Sequence, residues 1–175
     1  MEFKVLITER YIQSRTREMA DEIRDYYGRE VDNLLLIFML TGAVPFFVDL
    51  SRELNFRGVR HQYKPMGVST QNPDQTSHVP VVWLDINEQI EDKHVLLVDD
   101  IFDTGYTLAY VMDLLAGRGP LSLEMIVMLS KDERREANIY PRWVGHHIPN
   151  KYVIGYGLDD GTGKHRDLRD VCYIE

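Results

Sequence analysis

The stretch Val98-Asp99-Asp100-Ile101-Phe102-Asp103-Thr104-Gly105-Tyr106-Thr107-Leu108 concentrates the groups in this chain that are best placed to do chemistry. Two adjacent carboxylates close an apolar run, a third stands at a turn, and a Thr-Gly-x-Thr loop leads into a helical pattern. A glycine and small hydroxyl residues ahead of a helix leave backbone N–H groups and hydroxyls to surround a phosphate, and the helix N-terminus adds favourable partial charge. The carboxylates do not belong to such a cradle, because like charge repels the phosphate. They suit the hydroxyls of a sugar, a hard cation such as Mg²⁺, or a proton in transfer. A lone aspartate here would read as a helix cap. Three acids followed by Thr-Gly-x-Thr on a buried strand read as a binding site.

The elements that position these residues alternate along the chain. After Thr8, a candidate N-cap, apolar residues at Tyr11, Ile12, Met19, Ile23, Tyr26 and Tyr27 recur with a helical period that ends near Gly28. Residues 34–40 form a continuous apolar run that stops at Thr41-Gly42, as a strand buried on both faces would. Residues 43–54, with Pro45 near the start, predict a helix. Residues 57–80 carry three prolines and no sustained period, and predict a strand start followed by a long exposed loop, of the kind often used as a lid. Further strands are predicted at 95–98, ending in Asp99-Asp100, and at 121–129, with a helix at 108–116 closed by Gly117 between them. Short strand-like pieces follow at 143–147 and 152–155. Apolar, unalternating strands interleaved with helices predict an α/β fold around a parallel sheet. Ligands of such sheets sit at the carboxyl ends of the strands. That rule directs attention to Thr41-Gly42, to residues 99–107 and to residues 131–135.

Composition sets the frame. In 175 residues, 44% hydrophobic and 27% charged, there is enough apolar material for one globular domain. The 28 acidic residues against 20 basic give a net charge of -8, which disfavours nucleic acid and anionic lipid as partners. Cys172 is the single cysteine, so neither an internal disulfide nor a multi-cysteine zinc site can form. With no signal-peptide pattern at the start and no apolar run beyond seven residues (34–40), the expectation is a soluble, cytoplasmic, single-domain protein spanning 1–175. Other constellations fail: Gly163-Lys164 lacks the spacing of a Walker A loop, no His-Glu-x-x-His occurs, and no Gly-x-Ser-x-Gly elbow is present.

Residues 98–108 resemble the phosphoribosyl-pyrophosphate (PRPP) signature of the type I phosphoribosyltransferases, and the wider chain resembles the hypoxanthine-guanine phosphoribosyltransferases. The likeness extends through Leu40-Thr41-Gly42-Ala43-Val44-Pro45-Phe46, Leu129-Ser130-Lys131 with Arg134-Arg135, and Val153-Ile154-Gly155-Tyr156-Gly157-Leu158-Asp159 followed by Arg166-Asp167-Leu168. The resemblance implies a mostly parallel central sheet flanked by helices, a small hood built from the chain termini, and a mobile lid at about 64–80. It further implies Mg²⁺-dependent transfer of phosphoribose from PRPP to hypoxanthine or guanine in purine salvage, yielding the nucleoside monophosphate and pyrophosphate, in a homodimer or homotetramer.

Carried over residue by residue, Asp99 and Asp100 hold the ribose hydroxyls and, with Asp159, the metal. Asp103, Thr104, Gly105, Tyr106 and Thr107 cradle the 5'-phosphate, and Asp103 is the general base at purine N7. Lys131 donates to the 6-oxo group, Tyr152 stacks on the base and the Val153 backbone meets its edge. Thr41, Gly42, Arg135 and Arg166 face pyrophosphate. Departures accompany the likeness. Thr41 stands where the family commonly has Lys or Arg, and Pro65-Met66-Gly67 stands where its lid carries Ser-Tyr-Gly, so closure falls to residues such as Ser69, Thr70 or His78. The turn before Arg166 is one residue longer than the pattern. These departures motivate two other readings: a nucleotide-sensing or RNA-binding regulator with weak catalysis, and an enzyme for xanthine or another base.

Overall fold

The computed structural model describes residues 3–69 and 80–174. Among these residues nine strands and three α-helices follow one another as β1 (Phe3–Ile7), α1 (Glu9–Tyr27), β2 (Leu34–Leu40), α2 (Val44–Phe56), β3 (Gln62–Ser69), β4 (Val81–Leu84), β5 (His94–Phe102), α3 (Tyr106–Ala116), β6 (Ser122–Ser130), β7 (Trp143–His147), β8 (Val153–Ile154) and β9 (Val171–Ile174). The main sheet has the order β4-β3-β2-β5-β6-β7, with every pairing parallel except β3 with β4. A second, antiparallel sheet has the order β1-β9-β8. It is the hood, built from both chain termini.

The unalternating apolar strands have a direct cause. Leu34 and Leu36 of β2, with Leu96 and Val98 of β5, pack in one core cluster against Ile12, Met19 and Ile23 of α1 and Phe46, Leu50 and Leu54 of α2. Leu35, Ile37, Val95 and Leu97 face the other way, against Leu108, Val111 and Leu115 of α3. Successive residues of a strand point to opposite faces, and both faces here are covered. Helix α1 starts where expected: the Thr8 side chain accepts a hydrogen bond from the Tyr11 amide at 3.3 Å. Its apolar face is narrower than the sequence pattern predicts, since Tyr11 and Tyr26 are both more than two-fifths exposed. Tyr26 instead donates to Glu124 at 3.0 Å.

Three expectations change. The strand start expected after residue 57 runs further than expected, as β3 over residues 62–69, into the stretch assigned to the lid from 64; it pairs with β2 over Gln62 to Gly67. Pro65 is tolerated there because β4 joins β3 only from Gly67 onward, so the position lacking an N–H lies on a stretch paired on one side. The remainder of the expected lid, 70–79 with Thr70 and His78, lies outside the described residues. Strand β5 runs through Asp99 and Asp100 to Phe102, so the acidic pair is inside the sheet rather than beyond it. Strands β1, β4 and β9 carried no clear sequence pattern.

Candidate active site

The parallel strands β2, β5 and β6 end side by side, and the groups singled out in the sequence stand at their carboxyl ends. The Lys131 amide donates to the Phe102 carbonyl at 2.9 Å, which locks the residue after β6 against the end of β5. From these ends the side chains of Asp103 and Lys131 meet: Lys131 Nζ donates to Asp103 Oδ2 at 3.1 Å. Lys131 is only 6% exposed, and the carboxylate is what makes burial of its ammonium tolerable. Arg134, on the single 3-10 turn Asp132–Arg134, brings its Nε to 2.6 Å from the other oxygen of Asp103, without the alignment of a hydrogen bond. The sequence likeness includes Arg134 beside Arg135 but assigns it no role, and only the tight turn aims it at Asp103.

Asp103, Lys131 and Arg134 line a cavity of about 410 Å³ together with Ile101, Tyr152 and Val153. Val153 is buried, whereas Tyr152 is 55% exposed and its hydroxyl donates to the Asp159 carbonyl at 3.1 Å. A flat aromatic wall, a lysine and a carboxylate thus surround a space of small-molecule size.

On the far side of Asp103 lies the loop into α3. Gly105 caps the helix with a φ of 87°, and a Cβ there would overlap the Phe102 ring. Only glycine fits both constraints. The Thr104 carbonyl accepts from the Glu136 and Ala137 amides at 3.0 Å each, so the loop is braced from behind. The first N–H groups of α3 have no intrahelical acceptor, and the helix is eleven residues long, sufficient for a useful dipole. The backbone N–H groups and hydroxyls of Thr104, Gly105, Tyr106 and Thr107 are thus gathered at one helix start, an arrangement able to hold an anion. Tyr106 turns outward and donates to Glu136 at 2.7 Å.

Asp99 and Asp100 retain some solvent contact but sit deep in the fold. Desolvation pushes the carboxyls of both above the ordinary carboxylate range, and for Asp99 the charge of Asp100 adds to it. The Ile101 amide donates to Asp100 Oδ1 at 2.8 Å, partly offsetting the rise. No described ion pair includes either acid, although the charge of Arg166 acts weakly to lower the pKa of Asp100. Such a pair is suited to a divalent cation shared with sugar hydroxyls. Asp159 does not join them: among the described residues no three metal-ligating side chains converge. Its Oδ2 accepts from the Gly163 amide at 2.9 Å and pairs with Arg166 at 3.1 Å. The three-aspartate metal set expected from the resemblance is thus divided, with Asp159 organising the turn that follows it. Since buried like charges cost stability in the empty site, Asp99→Asn is expected to stabilise the ligand-free protein by roughly 0.5–2 kcal/mol. Thermal melting without ligand measures this, and a lowered melting temperature would refute it.

Gly42 is wedged between this pair and the turn at Gly157, whereas Thr41 beside it is exposed. A Cβ on Gly42 would overlap Asp100 Oδ2, and a Cβ on Gly157 would overlap the Gly42 carbonyl oxygen while lying 3.1 Å from Pro45 Cδ. Beside Gly157, Tyr156 is 8% exposed and donates to Asp49 of α2 at 2.8 Å. Burial first, then the Asp49 charge, raise its phenol pKa, so it remains a donor. Arg166 donates to the Gly157 carbonyl at 2.6 Å, tying the same turn from the other side. Arg135 is placed differently from expectation. It pairs with Asp132 at 2.9 Å and its guanidinium lies between the rings of Phe102 and Tyr140, at 5.1 and 4.5 Å from their centroids. Its charge is engaged in packing rather than presented to the loop after β2.

Comparison with known proteins agrees with this geometry. The phosphoribosyl transferase domain family matches residues 8–160. A hypoxanthine phosphoribosyltransferase of Haemophilus influenzae is 37% identical over 166 residues, covering 94% of this chain and 90% of that protein. A hypoxanthine-guanine phosphoribosyltransferase of Dictyostelium discoideum is 31% identical, with 99% of each chain covered. Among solved structures, the hypoxanthine phosphoribosyltransferase of Trypanosoma cruzi in complex with the product IMP superimposes with a TM-score of 0.91 at 37% identity, covering 98% of this chain and 94% of that one. A family match over most of the chain, relatives matched over nearly their full length and a solved structure that superimposes on 98% of it give one answer: this chain belongs to the phosphoribosyl transferase domain family, in its hypoxanthine(-guanine) phosphoribosyltransferase branch.

Proposed function

We propose that the protein is a purine-salvage enzyme that transfers the 5-phosphoribosyl group of PRPP to a 6-oxopurine, releasing pyrophosphate. One observation carries this reading: Asp103 and Lys131, from the ends of neighbouring strands, meet in one cavity with Tyr152 and Val153. A carboxylate that accepts the N7 proton and an ammonium that can only donate, to a 6-oxo group, form a complementary pair for hypoxanthine or guanine.

In this reading residues 104–107 hold the 5'-phosphate and Asp99 and Asp100 the ribose hydroxyls. The bond from ribose C1 to pyrophosphate breaks, the bond to purine N9 forms, and the N7 proton passes to Asp103. Positive charge develops at C1 as in glycosidic chemistry, so water must be kept out. Thr41 and Gly42 offer backbone groups to pyrophosphate, and Arg166 lies next to them through Gly157. Arg135 supports the Phe102–Tyr140 wall instead. Asp99 and Asp100 fit Mg²⁺, which when bound offsets charge on the ribose and pyrophosphate oxygens. Holding both substrates in register supplies further rate.

A second copy of the chain is the proposed protein partner. Tyr63 and Trp83, both more than half exposed, with Val81, leave an apolar strip along the β3–β4 edge. No described helix is long and apolar enough to cross a membrane, and a cytoplasmic location agrees with the lone cysteine.

The test is a steady-state assay with PRPP, Mg²⁺ and hypoxanthine, guanine, xanthine, adenine or uracil in turn. Turnover with the first two is expected. No turnover with any base, alongside measurable PRPP or RNA binding, would instead establish the regulator. Lys131→Ala should reduce the preference for hypoxanthine over adenine, as a ratio of kcat/KM, by roughly tenfold to a hundredfold, the worth of a charged hydrogen bond. An unchanged ratio would remove Lys131 from the 6-oxo contact.

A further inference from the structure

Arg134 has no part in the transfer outlined above, yet its Nε lies 2.6 Å from Asp103 Oδ1 while Lys131 holds Oδ2 at 3.1 Å. The proposed base thus faces a cation on each oxygen. The two cations differ in freedom. Lys131 is buried at 6% exposure behind the β5–β6 junction, whereas the Arg134 side chain is 45% exposed at the last residue of a 3-10 turn. To take a ring proton, Asp103 must offer an oxygen to a purine N7–H in the cavity that all three side chains line. Lys131 cannot withdraw without leaving packed surroundings. Arg134 can, because water receives its guanidinium at the mouth of the cavity.

We propose that Arg134 is a resident stand-in for the purine: its guanidinium, ion-paired with Asp103 Oδ1 but not aligned to donate to it, occupies the place at that oxygen that the N7–H of an incoming base requires, and each base displaces it. The inference rests on Asp103 as general base. In the free protein Oδ1 has a charge contact but no aligned hydrogen-bond donor, so the N7–H of a purine in the shared cavity offers it the hydrogen bond that Arg134 does not make. Exchange rather than simple addition has two consequences. A base offering an N–H at that edge restores the partner that Asp103 loses, whereas a ligand lacking the donor leaves the carboxylate stripped on that side, so Arg134 acts as a specificity-determining residue. The contact also weakens base binding by the worth of one half-exposed ion pair, without touching the cradle at α3 that holds PRPP.

The experiment compares the parent enzyme with Arg134→Ala and Arg134→Gln, measuring KM for hypoxanthine and for PRPP at low and at high salt. Removing the competitor should lower KM for hypoxanthine by about two- to fivefold in both variants at low salt, the range spanned by exposed ion pairs. KM for PRPP should hold, and the parent-to-variant ratio for hypoxanthine should close toward one as salt screens the parent's pair. A hypoxanthine KM that is unchanged or raised at low salt, a ratio indifferent to salt, or an equal shift in both substrates would overturn the proposal. Asp103→Asn, assayed in parallel, separates the two ideas. If it keeps full kcat, the general-base reading fails; if it loses kcat while the Arg134 variants show no fall in KM, only the stand-in fails.

Discussion

Replacing Asp103 with Asn is expected to lower kcat by about a hundredfold to ten-thousandfold, the usual contribution of a positioned general base, with a far smaller effect on PRPP affinity. The substitution preserves side-chain size, so the cavity and the Phe102–Lys131 backbone bond remain. It removes the lone-pair basicity that the N7 proton needs, and it can set an amide N–H against Lys131 Nζ, donor facing donor. In the proposed reading the affinity for PRPP rests elsewhere, on residues 104–107 and the acidic pair inside β5. Single-turnover rates with saturating PRPP, together with direct PRPP titration, separate the two effects. Equal rates for variant and parent would exclude Asp103 as the base, and a melting curve unchanged within a few degrees would rule out unfolding as the source of a loss.

Gly157→Ala should be the most damaging change outside the cavity, costing roughly 2–5 kcal/mol of stability. Two penalties combine: a φ of 102°, which an L side chain adopts only under strain, and a Cβ that would overlap the Gly42 carbonyl oxygen. Neither partner can give cheaply. Gly42 is backbone, already pressed against Asp100, and Gly157 is held by Arg166. The hood turn must therefore move away from the loop after β2, and KM for PRPP should rise along with the loss of stability. Urea unfolding checks the first and substrate titration the second. An alanine variant within 0.5 kcal/mol of the parent, the scale of an ordinary surface change, would show that the two loops are not in fixed contact.

Much of this architecture is legible in the sequence because its signals are local. The apolar runs of β2 and β5 reveal a doubly covered sheet through their lack of alternation, Thr8 marks the start of α1, and Asp99 to Thr107 place acids, turn and helix start in one continuous segment. What stays hidden is decided between distant residues. β1 and β9 are short strands that acquire meaning only by pairing with each other across the whole chain. The Tyr156–Asp49 hydrogen bond joins residues 107 positions apart, and nothing near either announces it. Arg135 looks like a free cation until Tyr140 and Phe102 close on its guanidinium. Arg134 looks like its spare neighbour until the 3-10 turn aims it. Pro65 argued for a loop because the absence of a partner on one side of β3 has no signature in composition.

The order β1-β9-β8 of the hood has a consequence for how the protein is made. β9, the last of the described strands, is the middle strand, paired with β1 on one side and with β8 on the other. Until it is made, β1 has no described sheet partner and β8, which carries Val153, lacks its own. The main sheet needs nothing beyond residue 147, and domains commonly begin to fold as they emerge. The main sheet, with the start of α3 beside its strand ends, can therefore form while the strand that carries Val153 is still unpaired, and the two parts are joined only once β9 is in place.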